Sequence, residues 1–374
     1  MKHLYIHIPF CSRRCTYCDF SIAVRRKIPE QRFVEAIRKE YKSRKSAGDF
    51  DEEPLKTLYL GGGTPSLLSA ETVSSIVARI MAAESRGDSK VEVTMEANPE
   101  HVTAEVAEAW AAAGINRVSL GAQSFDNEIL AWMHRTHAAD QIKTSVENLR
   151  RAGIGSISLD LLIGLPPALE HDVASDLSQA LDMDPDHLSI YSLTLEPRTK
   201  LARWVSNGRA TLADDEITER DFLLAHDLLA GVGYEHYEVS NYARPGQRSL
   251  HNSAYWDGSR YVGLGPSAHS FDGEVRRWNV APWAEYERAV SGGSPEAGRE
   301  AISVDQAWLE RLYLGLRSDG IGRREMQCIE KDVVGEAERA GWAAWSGDRW
   351  RLTPTGWLRI DELVIALTTS AEGG

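Results

Sequence analysis

The chain has 374 residues with a formal net charge of −13, 43% hydrophobic residues and 26% charged residues. This composition excludes a disordered or fibrous protein and is typical of an ordinary soluble globular one. Charge appears already at Lys2, followed only by a short apolar stretch, so neither a signal peptide nor a membrane-spanning helix is predicted there, and we expect a cytoplasmic protein.

Short apolar runs alternate with helical patterns along the first two thirds of the chain. The runs that predict strands are 3–8, 56–60, 91–96, 116–120, 156–163 and 186–193. The patterns that predict helices lie near 30–45, 70–84, 103–113, 139–152, 171–182 and 214–231, with Ser69 and Thr103 as caps and Gly114 and Gly153 as stops. Such alternation indicates an α/β fold, a partial (β/α)6 TIM-like barrel over residues 1–233, whose functional loops follow the C-terminal ends of the strands.

The pattern loosens after residue 233. We interpret 234–298 as an extension that carries the stretch HNSAYW and ends in a flexible linker, SGGSPEAG, at 291–298. The pattern of residues 299–374 predicts helices, a hairpin around SGD and a last helix. The order of these elements resembles that of a winged-helix module. Its 9 Lys/Arg against 12 Asp/Glu over 301–374 argue against DNA, so we expect a packing or partner-binding module.

Three of the four cysteines are clustered at Cys11, Cys15 and Cys18, directly after the first predicted strand. A structural zinc site would take four ligands, and zinc held with the help of His3 or His7 is the plain alternative. Three thiolates on one loop can instead hold three irons of a 4Fe-4S cluster and leave the fourth open. The isolated Cys328 is expected to be a small buried hydrophobic residue.

The CxxxCxxC motif after the first strand of a βα barrel resembles that of the radical S-adenosylmethionine superfamily. This resemblance implies S-adenosylmethionine on the open iron, with reductive cleavage to a radical in active members. It also implies that the GGGTP stretch at 61–65 receives the methionyl group, where glycine allows close backbone approach.

The similarity narrows to the coproporphyrinogen dehydrogenase (HemN) branch and the related haem-chaperone (HemW) family. YIHIPFC, GGGTPS, EANP, LGAQSF, an HR pair and DLLIGLP follow in this order over residues 5–166. By position the resemblance assigns S-adenosylmethionine contacts to Tyr5, Tyr17, Gly62, Gly63, Thr64, Glu96, Gln123, Arg135 and Asp160.

Two departures from the dehydrogenase pattern indicate the chaperone family. Phe20 stands where the dehydrogenases carry a further cysteine, and the chain starts only four residues before Tyr5. HNSAYW at 251–256 resembles the HNxxYW element of the chaperones, which implies His251 as a haem-iron ligand, with Asn252, Tyr255 and Trp256 around it. The ordinary alternative is that this histidine packs over the barrel edge.

The resemblance implies a haem chaperone that delivers haem to apoproteins such as respiratory cytochromes, with membrane contact only through such partners. Its rivals are an oxygen-independent coproporphyrinogen III oxidase, a radical enzyme acting on RNA and a zinc protein; the acidic balance disfavours nucleic acid. Residues 1–50 hold 12 Lys/Arg against 5 Asp/Glu. This basic region could bind an acidic electron donor of flavodoxin or ferredoxin type. The alternative is that it is only the solvated face of a helix.

Overall fold

Parallel strands form the centre of the molecule in a computed structural model that describes residues 2–50, 53–85, 90–326, 329 and 331–369. Six strands lie side by side in chain order and carry the main-chain hydrogen bonds of a partial barrel. They are β1 (His3–Ile8), β4 (Thr57–Gly62), β5 (Glu92–Ala97), β6 (Arg117–Gln123), β7 (Ser156–Ile163) and β8 (His187–Ser192). The predicted (β/α)6 architecture is therefore confirmed.

Helices cover the outer face of these strands. They are α1 (Glu30–Ser46), α2 (Ala70–Glu84), α3 (Ala104–Ala113), α4 (Asn127–Trp132), α5 (Ala139–Arg151), α6 (Val173–Leu181), α7 (Lys200–Ser206) and α8 (Asp215–Gly231). The Ser69 and Thr103 side chains cap α2 and α3 by accepting from the amides of Thr72 and Val106. Gly114 ends α3 with φ +97°, a left-handed conformation that glycine adopts without penalty.

The extension continues the same sheet on both sides. Its strands are β9 (Glu235–Glu238), β10 (Asn241–Ala243), β11 (Tyr261–Leu264), β12 (His269–Phe271), β13 (Val275–Asn279) and β14 (Glu296–Ala301), with helices α9 (Leu250–Trp256) and α10 (Trp283–Ser291). β11 pairs in parallel with β1, whereas β10 pairs antiparallel with β8. In the described part of the chain this sheet has twelve strands.

The linker prediction for 291–298 is wrong at both ends. Ser291 still belongs to α10, and residues 296–298 are the first part of β14, which pairs antiparallel with β13. Glycine is needed at position 298 because the Trp278 ring of β13 lies over it. A Cβ there would come within 2.5 Å of the ring.

The C-terminal residues form the helices and hairpin of the predicted winged-helix-like order. The elements are α11 (Val304–Leu316), β15 (Ile321–Gly322), α12 (Arg323–Met326), α13 (Lys331–Arg339), β16 (Ala343–Ser346), β17 (Arg349–Leu352), α14 (Pro354–Trp357) and α15 (Ile360–Thr369). Trp350 and Leu352 are buried as the hairpin pattern indicated. Cys328 lies outside the described residues. No helix of the described segments combines the length and apolar character needed to cross a membrane.

A buried carboxylate fastens the extension to the barrel. Glu40 on α1 accepts from Asn279 Nδ2 at 2.6 Å, Tyr286 Oη at 2.6 Å and the Gly265 amide at 2.8 Å. Its side chain is buried, and desolvation raises the pKa of the carboxyl although the three donors oppose this shift. One acid thus joins a barrel helix to the loop after β11, the end of β13 and α10.

We expect Glu40→Ala to lower the free energy of unfolding by several kcal/mol. It would leave the Tyr286 hydroxyl and the Gly265 amide buried without this acceptor, each at a cost of about 1–3 kcal/mol, whereas Asn279 Nδ2 keeps its hydrogen bond to the Gly265 carbonyl. Urea unfolding followed by circular dichroism measures this loss. Glu35→Ala is the matched control on the same helix, because Glu35 pairs with Arg38 at the surface and should leave the unfolding midpoint close to that of the wild type. Equal midpoints for the two variants would contradict this role of Glu40.

Candidate functional site

The carboxyl ends of the parallel strands open into one cavity of about 510 Å³. Strand direction places the loops after β1, β4, β5, β6, β7 and β8 at the same rim, as the barrel predicts. The lining includes Cys11, Cys15, Tyr17, Cys18, Phe20, Gly62, Gly63, Thr64, Glu96, Asn98, Gln123, His134, Arg135, Asp160 and Tyr191.

Backbone contacts hold the cysteine loop on this rim. Strands β2 (Phe10–Cys11) and β3 (Ala23–Val24) pair in parallel across its base. In its middle, the Thr16 amide donates to the Met133 carbonyl at 3.2 Å, and the Thr16 carbonyl accepts from the Leu201 amide at 2.8 Å. The loop is therefore tied to the residue after α4 and to the start of α7, while its three cysteines line the cavity.

The three thiols differ in their surroundings. Cys11 is buried and accepts a hydrogen bond from Thr64 Oγ1 at 3.3 Å, and burial raises the pKa of its thiol to about 11. Burial also raises the pKa of Cys18. Cys15 Sγ lies 3.7 Å from Arg135 Nη1. Coordinated metal would supply positive charge and hold such thiols deprotonated.

Glycines let the loop after β4 approach the cysteine loop. A Cβ on Gly63 would lie 2.8 Å from the Phe10 carbonyl oxygen and 3.0 Å from Cys11 Sγ. Gly62 has φ +117°, a conformation that favours glycine. The cradle that these glycines leave beside the sulfurs is the space that GGGTP was expected to provide.

Two carboxylates stand inside the barrel near the cradle. Glu96 accepts from the Gly62 amide and from Tyr59 Oη, both at 2.9 Å. Burial raises the pKa of Glu96 to about 7 and that of Asp160 to about 6, although Ser119 donates to Asp160 at 2.9 Å. Within the described residues neither acid forms an ion pair, so both suit hydroxyl or ammonium donors of a ligand.

Arg135 is oriented towards the cysteine loop. Its Nη2 donates to Asn98 Oδ1 and to the Gly121 carbonyl, each at 2.8 Å, whereas its buried Nε has no hydrogen-bond partner within the described residues. Gln123 occupies the neighbouring strand end with φ +68°, an uncommon backbone conformation for a non-glycine residue. The guanidinium of Arg135 lines the cavity, where it suits a ligand carboxylate.

The structure brings together eight of the nine residues expected at the S-adenosylmethionine site. The exception is Tyr5, which does not line the cavity; its hydroxyl lies 3.0 Å from His7 Nδ1 inside the barrel. Asn98 and Tyr191 line the cavity but were not predicted from the sequence as site residues. Asn98 stands in the EANP stretch after β5, and Tyr191 lies near the end of β8. Their position at the ends of predicted strands could have indicated both as site residues.

The residues of HNSAYW lie elsewhere, at the floor of the barrel. The His251 side chain is buried: its Nδ1 is 2.6 Å from Thr57 Oγ1 and its Nε2 is 3.1 Å from Tyr255 Oη. Its ring stacks on Tyr59 at 4.9 Å. Burial lowers the pKa of His251 to about 3, so the ring is neutral. Asn252 reaches a second, small cavity that Glu96 and Asp160 also line.

The residues of the upper cavity fit a 4Fe-4S cluster and S-adenosylmethionine. Three thiols supply the donor chemistry of three irons. The glycine cradle leaves room beside Cys11, and the Arg135 guanidinium and the two buried acids offer partners for a carboxylate, an ammonium or ribose hydroxyls.

Comparison with known proteins agrees with this geometry. Residues 5–180 match the model of the Radical SAM superfamily. The haem chaperone HemW of Lactococcus lactis is 36% identical over 313 residues, which cover 84% of this chain and 80% of the relative. HemW of Haemophilus influenzae is 36% identical over 380 residues, covering 98% and 97%. The solved coproporphyrinogen III oxidase HemN of Escherichia coli superposes with a TM-score of 0.81 at 20% identity over 98% of this chain and 90% of that one, which shows the fold.

The fold, the cysteine motif and the matches to known proteins together define a radical S-adenosylmethionine protein of the HemN-like branch. Within that branch, the chain belongs to the HemW family. Membership implies the 4Fe-4S cluster and S-adenosylmethionine that the residues of the cavity were found to fit.

The raised pKa of Glu96 predicts a pH-dependent stability of the metal-free protein. Because the folded-state pKa lies above the ordinary value of 4.5, the group stabilises the fold fully below pH 4.5, and this contribution is lost as pH rises through about 7. Glu96→Gln should remove that part of the dependence. Thermal unfolding at stepped pH measures it, with the exposed Glu108→Gln as control. An unaltered pH profile in Glu96→Gln would contradict this role of the carboxyl.

The cysteine loop should become ordered when the cluster forms, since a loop of three free thiols has little core of its own. Arg13 and Arg14 are exposed within it and give trypsin two cleavage sites. We expect reconstitution with iron and sulfide to slow cleavage at these sites, as followed by mass spectrometry. Cys15→Ala, treated in the same way, should stay as sensitive as the metal-free wild type. Equal cutting of metal-free and reconstituted wild type would contradict the prediction.

Proposed function

We propose that the protein is a haem chaperone that holds a 4Fe-4S cluster and S-adenosylmethionine at its barrel mouth and passes haem to haem-requiring apoproteins. The observation that supports this most is similarity along almost the whole chain to relatives named as haem chaperones, together with Phe20 at the rim in place of a further cysteine. The fold alone is shared with HemN and does not separate the two functions.

The cluster would be held by Cys11, Cys15 and Cys18, and when bound it supplies a redox-active iron that can chelate the methionyl group. The remaining roles belong to side chains of the cavity. Gly62 and Gly63 leave room for the ligand, and Glu96 fixes the position of the Gly62 amide. Arg135 offers its guanidinium to a carboxylate.

The buried acids of the barrel interior favour binding of a polar cofactor. Glu96 and Asp160 hold their protons more tightly than exposed acids do, as their raised pKa values express, so a ligand hydroxyl or ammonium gains by giving them a partner. The Tyr17 side chain lines the same cavity. These residues orient a bound cofactor whether or not it is cleaved.

A basic rim surrounds the cysteine loop. Its members are the exposed Arg13, Arg14, Arg25, Arg26 and Lys27. The apolar side chains of Phe20 and Val24 lie among them, 60% and 45% exposed. An apolar centre with a cationic border suits an acidic protein that donates electrons to the cluster, because opposite charge speeds encounter.

The sequence-based hypothesis makes His251 the haem ligand. In the arrangement described, both ring nitrogens are occupied by Thr57 and Tyr255. In addition, Glu92 accepts from the Leu250 and His251 amides at 3.0 Å and holds the start of α9 on the barrel. Ligation by His251 would therefore require Thr57 or Tyr255 to give up its hydrogen bond and the buried ring to become accessible.

The alternative function is that of an oxygen-independent coproporphyrinogen III oxidase, which the HemN-like fold favours.

We expect the reconstituted chain to bind added haem, seen as a saturable Soret absorbance. The same preparation should form no protoporphyrinogen from coproporphyrinogen with reductant and S-adenosylmethionine under anaerobic conditions.

A variant with Cys11, Cys15 and Cys18 all replaced by alanine is the control for the haem titration, because it separates haem absorbance from that of the cluster. Decarboxylated product at a catalytic rate would overturn the chaperone proposal. Failure of haem to saturate any site on the wild-type chain would overturn it as well.

A further inference from the structure

The cavity at the barrel mouth contains a histidine that no sequence motif assigns to haem. All eleven histidines of the chain lie within the described residues, and His134 alone among them lines this cavity. Haem iron is held in proteins by His, Cys, Met or Tyr, and the neutral imidazole is the commonest metal ligand. His134 is therefore a second candidate beside His251.

The backbone at His134 has a left-handed conformation, which histidine adopts more often than most residues other than glycine. His134 follows α4 with φ +62°, in the left-handed region. Its amide donates to the Ala131 carbonyl at 3.1 Å, and the Arg135 amide donates to the Leu130 carbonyl at 2.9 Å. This is the Schellman pattern, in which glycine is the usual residue at this position. The cap thus fixes the position of His134 at the rim, where its side chain lines the cavity.

The ring of His134 presents an unprotonated nitrogen. Its Nε2 lies 3.0 Å from Lys200 Nζ, and an ammonium group can only donate, so Nε2 carries the lone pair and Nδ1 the proton. Partial burial, followed by the charges of Lys200 and Arg13, lowers the pKa of this ring. Lys200 is a flexible, half-buried side chain that another cationic centre can displace from Nε2.

The surroundings of His134 match the remaining chemistry of haem, a flat apolar macrocycle with two carboxylates. Phe20 and Tyr191 line the same cavity and are 60% and 42% exposed. The Trp204 ring stands edge-on to His134 at 6.0 Å. Arg13 and Lys200 supply two cations near this apolar rim. Aromatic faces and cations are complementary to such a ligand.

We propose that His134 Nε2 is the protein ligand of the haem iron, with the macrocycle at the outer rim of the cavity against Phe20 and its carboxylates paired with Arg13 and Lys200. The iron takes the place of the Lys200 ammonium at Nε2, so ligation needs no movement of the fold. This assignment rests on the proposed haem-binding function and replaces His251 as the ligand.

The test compares haem titrations of reconstituted wild type, His134→Gly and His251→Ala. Glycine is chosen because it suits the left-handed position, so loss of the ring should leave the cap of α4 intact. We expect His134→Gly to weaken haem binding by about tenfold or more and to lose the resonance Raman band of an iron–imidazole bond. Added free imidazole should enter the vacated space and restore that band. His251→Ala should keep the band and the wild-type affinity.

Three outcomes would overturn the assignment. Wild-type affinity and an unchanged band in His134→Gly would remove His134 as ligand. Loss of the band in His251→Ala alone would return ligation to the barrel floor. Absence of haem binding by the wild type would reject the proposed function itself, and this result differs from the other two because no variant is needed to see it.

Discussion

The close backbone approach between the ends of β1 and β4 is the constraint on which the site depends. The two strands pair in parallel from His3↔Thr57 to Ile8↔Gly62, and the Gly63 amide then donates to the Ile8 carbonyl at 2.7 Å. This brings the glycine loop against Cys11, at a distance that leaves no space for a Cβ. The base of the cysteine loop and the cofactor cradle are thus fixed by main-chain hydrogen bonds, which few side-chain substitutions can disturb.

The barrel also has a polar interior. This is unusual, because barrel cores are commonly filled by branched apolar side chains. The inward positions hold Tyr59, Glu96 and Asp160, linked by hydrogen bonds to Gly62 and Ser119. Burying acids without cations costs stability, and the raised pKa values of Glu96 and Asp160 express that cost. The arrangement is explained if a ligand with donor groups completes it.

Much of the fold and of the upper site could be predicted from sequence, since both depend on local signals. Caps such as Ser69, the stop at Gly114 and alternating apolar runs mark elements wherever they occur, and strand direction then collects Cys11, Glu96 and Asp160 at one rim. The strands of the extension are short and partly polar, and their pairing joins segments that no local pattern connects, so the start of β14 was predicted to be a linker. Side-chain direction at Tyr5 and the depth of α9 depend on packing that no motif encodes.

The two candidate haem ligands differ in what release would require, and release matters for a chaperone. A haem held by His251 would need the buried ring to become accessible and to give up its hydrogen bond to Thr57 or Tyr255 at loading, and to restore it at transfer. At the proposed ligand His134, only the Lys200 side chain would have to move from Nε2, and a haem there would lie at the rim where an acceptor could reach it. Because a transfer site must bind and release without a large barrier, the mouth suits delivery better than the floor.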